Sequence, residues 1–308
     1  MTTRTTERRV ALVLSLLLVG VVLSVTPSGA EEGDAQSCLE CHEDMIAAKV
    51  VHDPAGEGSC DICHEGDAEE HDFTLPDPVG EACSMCHDIG GASGAVHGPV
   101  KAGQCTACHN PHASEQEKLL LAEGEALCWR CHGRTQKREG RQGVVENIRK
   151  VIAEAAVSHD ALEMGCQECH PAHDSEEQGL FTMSFPAGPY ARGFDGSYDL
   201  CMACHDESLI VDPQSLETGF RDGEKNLHTV HVVREKSRSC ALCHSPHGGG
   251  DHLLRKDVRF GQWLLPIGYE PSETGGTCTT ACHETRVYDR SVPPPVLDSG
   301  SNEQEKAR

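Results

Sequence analysis

Apolar residues are spread unevenly along the 308-residue chain. One dense run, Val10 to Val25, is interrupted only by Ser15, Gly20 and Ser24. Arg4, Arg8 and Arg9 precede it, and the small residues Ser28-Gly29-Ala30 follow. That order of basic, apolar and small residues reads as an export signal over residues 1–30, cleaved after Ala30 to leave Glu31 first. An uncleaved anchor is the competing reading, since the run approaches the length of a membrane span. A second patterned stretch, residues 143–158, sets Val144, Val145, Ile148, Val151, Ile152 and Ala155 at helical spacing and predicts a helix. It separates a region at 31–142 from one at 159–290. Elsewhere short apolar clusters alternate with Gly, Pro and charge. The expected fold is elongated and mostly irregular, with short α-helices and little or no β-sheet. The tail, residues 291–308, is polar and Pro-rich and is expected to be disordered.

Composition sharpens this. Aromatic residues make up 4% and mean hydropathy is −0.41. At such values a chain cannot bury enough of its own apolar surface to fold unaided. Something else has to supply the core.

The cysteines say what. Cys-x-x-Cys-His is the c-type haem attachment signature: two sulfurs form thioethers to the porphyrin vinyl groups, and the adjacent His becomes the proximal iron ligand. Eight copies occur, on Cys38/Cys41/His42, Cys60/Cys63/His64, Cys83/Cys86/His87, Cys105/Cys108/His109, Cys128/Cys131/His132, Cys166/Cys169/His170, Cys201/Cys204/His205 and Cys240/Cys243/His244. The last two of the eighteen cysteines, Cys278 and Cys282, precede His283 in CTTACH, a variant with one extra residue between the sulfurs. No cysteine remains for a disulfide. Zinc ribbons and redox disulfides use Cys-x-x-Cys as well, but neither needs His after each second cysteine. Nine covalent haems c are therefore expected, five before residue 143 and four after 158. Attachment of this kind occurs outside the bacterial cytoplasmic membrane, in agreement with the export signal.

Ten further histidines are candidates for the second axial position: His52, His71, His97, His112, His159, His173, His228, His231, His247 and His252. Nine irons with two His ligands each would be six-coordinate and low-spin, suited to electron transfer and closed to substrate. His112, His173 and His247 each lie three residues beyond a proximal His. The axial ligands of one iron approach from opposite faces, and so short a tether cannot round the macrocycle edge. These three are expected to serve neighbouring haems. Met85 and Met202 sit inside attachment loops, and Met45, Met164 and Met183 are expected to pack against haem rather than ligate it.

The motifs pair up. A leading His, a CxxCH, a second His and a further CxxCH recur around residues 43–87, 97–132, 159–205 and 228–283, after the lone site at Cys38. The first unit is degenerate: Asp67 stands where the others have His three residues on, and His71 is the nearest substitute. Without Arg4, Arg8, Arg9 and Glu7 the chain holds 23 basic and 48 acidic residues. That balance argues against nucleic acid or anionic membranes as partners.

CTACHNPH, CALCHSPH and, with its Pro displaced, CQECHPAH resemble the CHxPH sites of the doubled-CXXCH family of multihaem cytochromes c. A single leading site followed by paired sites is also similar to the decahaem periplasmic component of porin–cytochrome conduits, although nine sites are present here. That resemblance implies electron transport rather than catalysis, a periplasmic or outer-membrane-associated location, and redox partners that include an outer-membrane barrel and an extracellular cytochrome. Two other functions compete. A subunit of an extracellular cytochrome filament would share ligands between copies, and a multihaem reductase would leave one haem open.

Overall fold

The computed structural model describes residues 35–89, 94–137, 144–186, 188–191, 194, 196–234 and 237–291. The export segment, the tail beyond Ser291 and the stretch before residue 144 lie outside them. Among the described residues no helix is long and apolar enough to cross a membrane.

Eight of the attachment sites are helical turns. His64, His87, His109, His170, His205 and His244 each donate a backbone N–H to the carbonyl of the first cysteine of their own motif, at 2.9–3.0 Å. The sites at Cys38 and Cys128 lie in the helices Ala35–His42 and Glu125–His132. One turn brings Cys, Cys and His to the same side of the backbone, which is the geometric need of a thioether-bound haem. The ninth site departs from this. Cys278 lies in a strand, Gly275–Thr280, and His283 begins the next, His283–Asp289.

That departure belongs to a wider correction. The expectation of little or no sheet is wrong: residues 257–289 form a four-stranded antiparallel meander, Asp257–Phe260, Trp263–Pro271, Gly275–Thr280 and His283–Asp289, in that spatial order. Leu265, Ile267 and Tyr269 are half-buried and alternate with exposed neighbours, the period-two pattern of a strand with one covered face. Gly261 opens the first hairpin with φ +61°, a conformation that suits glycine. These residues looked like a spacer between attachment sites because the haem motifs dominate the sequence there. Their β-branched and aromatic content was the signal for sheet.

Six two-stranded ladders accompany the meander. Two of them lace consecutive units together: Val50–Val51 pairs with Ala113–Ser114, and Ala95–Val96 with Asp174–Ser175. The bridge between Val157 and Gly249 repeats the arrangement a third time. The predicted helix at 143–158 is also shorter than its periodicity suggested. Val144–Val145 pairs with Gln136–Lys137, and the helix spans only Ile148–Glu154. Asn147 caps it by accepting a bond from the Lys150 N–H, which fixes its start. Ala156 and Val157 are drawn off to bond Gly249.

Protein core is scarce. Four of the buried residues, Ala191, Tyr198, Ile210 and Val232, gather in one cluster, packed by Phe185, Phe194, Met202 and Leu209. The Tyr198 hydroxyl donates to the Arg238 carbonyl at 3.2 Å. Asn226 is fully buried, and its amide donates to the carbonyls of Leu209 and Asp212 while its oxygen accepts from the His228 N–H.

Candidate haem-binding sites

All nine attachment-site histidines face a second histidine. The ring centroids are 5.8 Å apart for His42 and His71, 6.0 Å for His87 and His52, and 6.0 Å for His64 and His112. They are 6.1 Å apart for His132 and His97, 6.0 Å for His109 and His173, and 6.1 Å for His205 and His159. The last three pairs, His170 with His247, His244 with His228 and His283 with His231, lie at 6.2, 6.5 and 6.4 Å. Two imidazole nitrogens about 2 Å either side of a metal, with each ring centre about 1.1 Å further back, predict a separation near 6 Å. The residues present therefore fit an iron held between each pair.

The pairs follow a rule. The second site of every unit takes that unit's own leading His: His87 with His52, His132 with His97, His205 with His159, His283 with His231. The first site takes the His three residues past the corresponding proximal His of the next unit: His64 with His112, His109 with His173, His170 with His247. The interunit ladders make this possible. The His52 N–H donates to the His112 carbonyl at 2.9 Å, and the His97 N–H to the His173 carbonyl at 2.8 Å. No further unit follows the fourth among the described residues, and His228, a second leading His, stands against His244 instead. At the other end, the lone site at His42 meets His71, on the hairpin that follows the first unit's first site. His252 departs from its expected role: it pairs with no attachment-site His among the described residues, and its ring faces Tyr269 at 6.4 Å.

Imidazole orientation is set by the nitrogen that points away from the partner ring. Nδ1 bonds a backbone carbonyl at His52 (Pro111), His97 (Ala172), His109 (Lys118), His170 (Leu180), His231 (Leu227), His244 (His252) and His283 (Glu284). A carbonyl can only accept, so Nδ1 carries the proton and Nε2 keeps its lone pair for a metal. Burial, first of all, and then the neighbouring imidazoles lower the pKa of His112, His132, His228 and His247, the last two to about 4. Neutral imidazole is the ligating form.

Sequence reasoning missed the carbonyls. Lys118–Leu119, Gly179–Leu180 and His252–Leu253 each place two successive residues at positive φ. In each unit that turn aims a carbonyl at the proximal His. The available signal was an apolar pair nine to eleven residues after each of these proximal histidines: Leu119-Leu120, Leu180-Phe181 and Leu253-Leu254.

Neighbouring attachment sites also touch. Burial raises the thiol pKa of Cys60, Cys83 and Cys128, and contacts from Cys38, Cys105 and Cys166 respectively raise it further. The Cys201 and Cys240 thiols are hydrogen-bonded to one another. Thioether attachment at these sulfurs would bring one haem edge against the next. Each contact joins the last site of one unit, or the lone first site, to the first site of the next.

The eighteen cysteines, equivalent by motif, differ in their surroundings. Cys41, Cys86, Cys204 and Cys282 are exposed, whereas Cys63 and Cys131 are half-buried. Four of these second cysteines bring together the two sites of one unit, Cys282 by adding to the rise at Cys243 behind burial and Cys278. Cys63 adds to the rise at Cys83, behind burial and Cys105, and Cys131 to the rise at Cys108, behind burial. Cys204 acts on Cys169 in the same way, behind burial, Glu168 and Cys201. Cys41 is exposed on the helix Ala35–His42.

The doubled CXXCH motif family matches residues 52–91, 97–137 and 159–209, the first three units. No curated protein sequence matches the chain.

Proposed function

We infer that this chain, a multihaem c-type cytochrome with doubled CXXCH motifs, relays electrons through nine bis-His haems arranged in sequence order. The observation that carries this reading is the complete set of His pairs, one for each attachment site, at 5.8–6.5 Å. Haem supplies reversible one-electron chemistry at iron. The protein's residues hold it: eighteen cysteines anchor, His42, His64, His87, His109, His132, His170, His205, His244 and His283 occupy one axial position, and His71, His112, His52, His173, His97, His247, His159, His228 and His231 the other. Contacting sulfurs, both within units and at their boundaries, favour close approach of consecutive haems, which is what rapid hopping requires.

With both axial positions taken by protein, no iron offers a site to substrate, which weighs against a reductase. Each second ligand also comes from the same chain, so the relay needs no ligand from a neighbouring copy. Export to the periplasm, and handover to an outer-membrane barrel and an extracellular cytochrome, complete the proposal. The acidic surface suits basic docking partners. The test is the holoprotein's oxidised EPR spectrum together with a haem count by pyridine haemochrome. Nine haems and low-spin signals alone are expected; a stoichiometric high-spin signal would overturn the bis-His assignment.

A further inference from the structure

Charge is graded along the chain. Residues 38–96, which carry the first three attachment sites, hold fourteen acidic residues and one basic, Lys49. Residues 221–290, which carry the last two, hold nine acidic residues and ten basic. Bis-His ferric haem carries one more positive charge at iron than the ferrous form. Nearby carboxylates therefore favour the ferric state and lower the potential, while cations and burial favour the ferrous state and raise it. Screening confines each charge to about 8 Å at physiological salt, so the local surroundings of each site decide.

The surroundings of His228 and His244 are unlike those of the other pairs in three ways. Arg255 folds its Nε onto the attachment loop, donating to the carbonyls of Ala241 at 2.9 Å and His244 at 3.0 Å. No ion pair involves Arg255 among the described residues, and the nearby carboxylate of Asp251 faces His252 instead. Secondly, this loop is packed by protein: Ser237, Ser239, Leu242, Ser245 and Val232 are all buried. From residue 35 to 137 only Gly58, Ala82 and Ala113 are, among the described residues. Thirdly, the His228 Nδ1 meets the Thr218 hydroxyl at 3.1 Å, where seven other imidazoles meet a carbonyl. That hydroxyl already accepts from the Phe220 N–H, which makes it the poorer acceptor. A carbonyl acceptor makes imidazole more electron-donating and stabilises ferric iron; a weak acceptor does so less.

Resting on the bis-His reading, we propose that Arg255, with Thr218 and the buried loop around Cys240–Cys243, makes the haem between His228 and His244 the electron sink of the chain, and that the acidic sites at Cys38 to Cys86 form its low-potential end. Electrons entering at the amino-terminal sites then run downhill in energy towards the fourth unit. Each step oxidises one ferrous haem and reduces the adjacent ferric one, with no bond made and no proton required. Arg255 is a positioning residue for charge, not a ligand.

Spectroelectrochemical titration of the intact holoprotein tests this, with dithionite and ferricyanide as reductant and oxidant. In Arg255→Gln the component of highest potential shifts down, the seven haems other than those on His244 and His170 stay in place, and Arg255→Lys restores it. In the double variant Cys240→Ala/Cys243→Ala, with eight haems counted, that same component is missing. The proposal is overturned if Arg255→Gln leaves the highest component unmoved at an unchanged haem count. It also fails if the eight-haem variant loses a component from elsewhere in the titration. Should the eight-haem variant fail to mature, the glutamine variant decides alone. A high-spin EPR signal in the wild type defeats the bis-His reading itself, whereas a fully low-spin spectrum with the wrong order of potentials defeats only the gradient.

Discussion

Replacing His112 by Ala tests the interunit pairing most directly. His112 is three residues from His109, and sequence proximity alone would suggest that the haem on His109 suffers. The His112 ring instead stands 6.0 Å from His64, and His109 stands 6.0 Å from His173. Removing the imidazole should therefore open the iron at Cys60/Cys63 and leave its near neighbour six-coordinate. One haem in nine is affected, so one ninth of the iron should move from low-spin to high-spin signals on double integration of the EPR spectrum. The backbone ladder through His112 survives, since the His52 N–H bonds the His112 carbonyl and Val51 pairs with Ala113. The cost in stability should stay at about 1 kcal/mol, the ordinary range for a half-buried truncation. Two companion variants identify the haem. In His112→Ala/Cys60→Ala/Cys63→Ala the high-spin signal should vanish, because the haem that gives it is absent. In His112→Ala/Cys105→Ala/Cys108→Ala it should persist. The opposite pattern would refute the pairing rule and with it the relay order.

Other expectations follow from the same pairs. His228→Ala should give a high-spin signal that disappears on deleting Cys240/Cys243, and His231→Ala one that disappears on deleting Cys278/Cys282; a common target for both would be inconsistent with the separate rings at 6.5 and 6.4 Å. His252→Ala should leave all nine irons low-spin, as its ring faces Tyr269; a new high-spin signal would show that it ligates. Asn226→Ala strands the Leu209 carbonyl and the His228 N–H in a buried site, while the Asp212 carbonyl keeps the Thr229 hydroxyl. At about 1–3 kcal/mol for an unsatisfied buried group, it should lower the thermal unfolding midpoint followed by visible circular dichroism, and an unchanged midpoint would contradict the burial argument.

Much of this protein is spelled in one dimension. Thioether attachment needs Cys, Cys and His within a single turn of chain, so a local motif suffices to announce covalent haem and its proximal ligand. The unequal exposure of those sulfurs is not local: Cys41 and Cys63 share a motif, yet Cys41 is exposed and Cys63 half-buried. The tether argument for His112, His173 and His247 does stay local, because three residues cannot round a macrocycle. The sheet at residues 257–289 was equally local in its alternation, but it was overlooked beside the stronger haem signal. The predicted helix at 143–158 is shortened for a different reason. Its periodicity was real, yet Val144, Val145 and Val157 were claimed by partners at residues 136–137 and 249. Short segments with few internal bonds yield to such contacts.

Which second histidine meets which haem lay beyond the sequence. Ten candidates stood against nine irons, and nothing in their spacing distinguished His228 from His252. The choice belongs to the ladders between units and, at the site of His244, to a leader from the same unit standing where another unit's histidine would otherwise arrive. The sequence alone determined the cofactor, because attachment is a bond between neighbours in the chain. Only the tertiary structure decided the wiring, because an axial ligand arrives through space, from wherever the backbone hydrogen bonds of another unit deliver it.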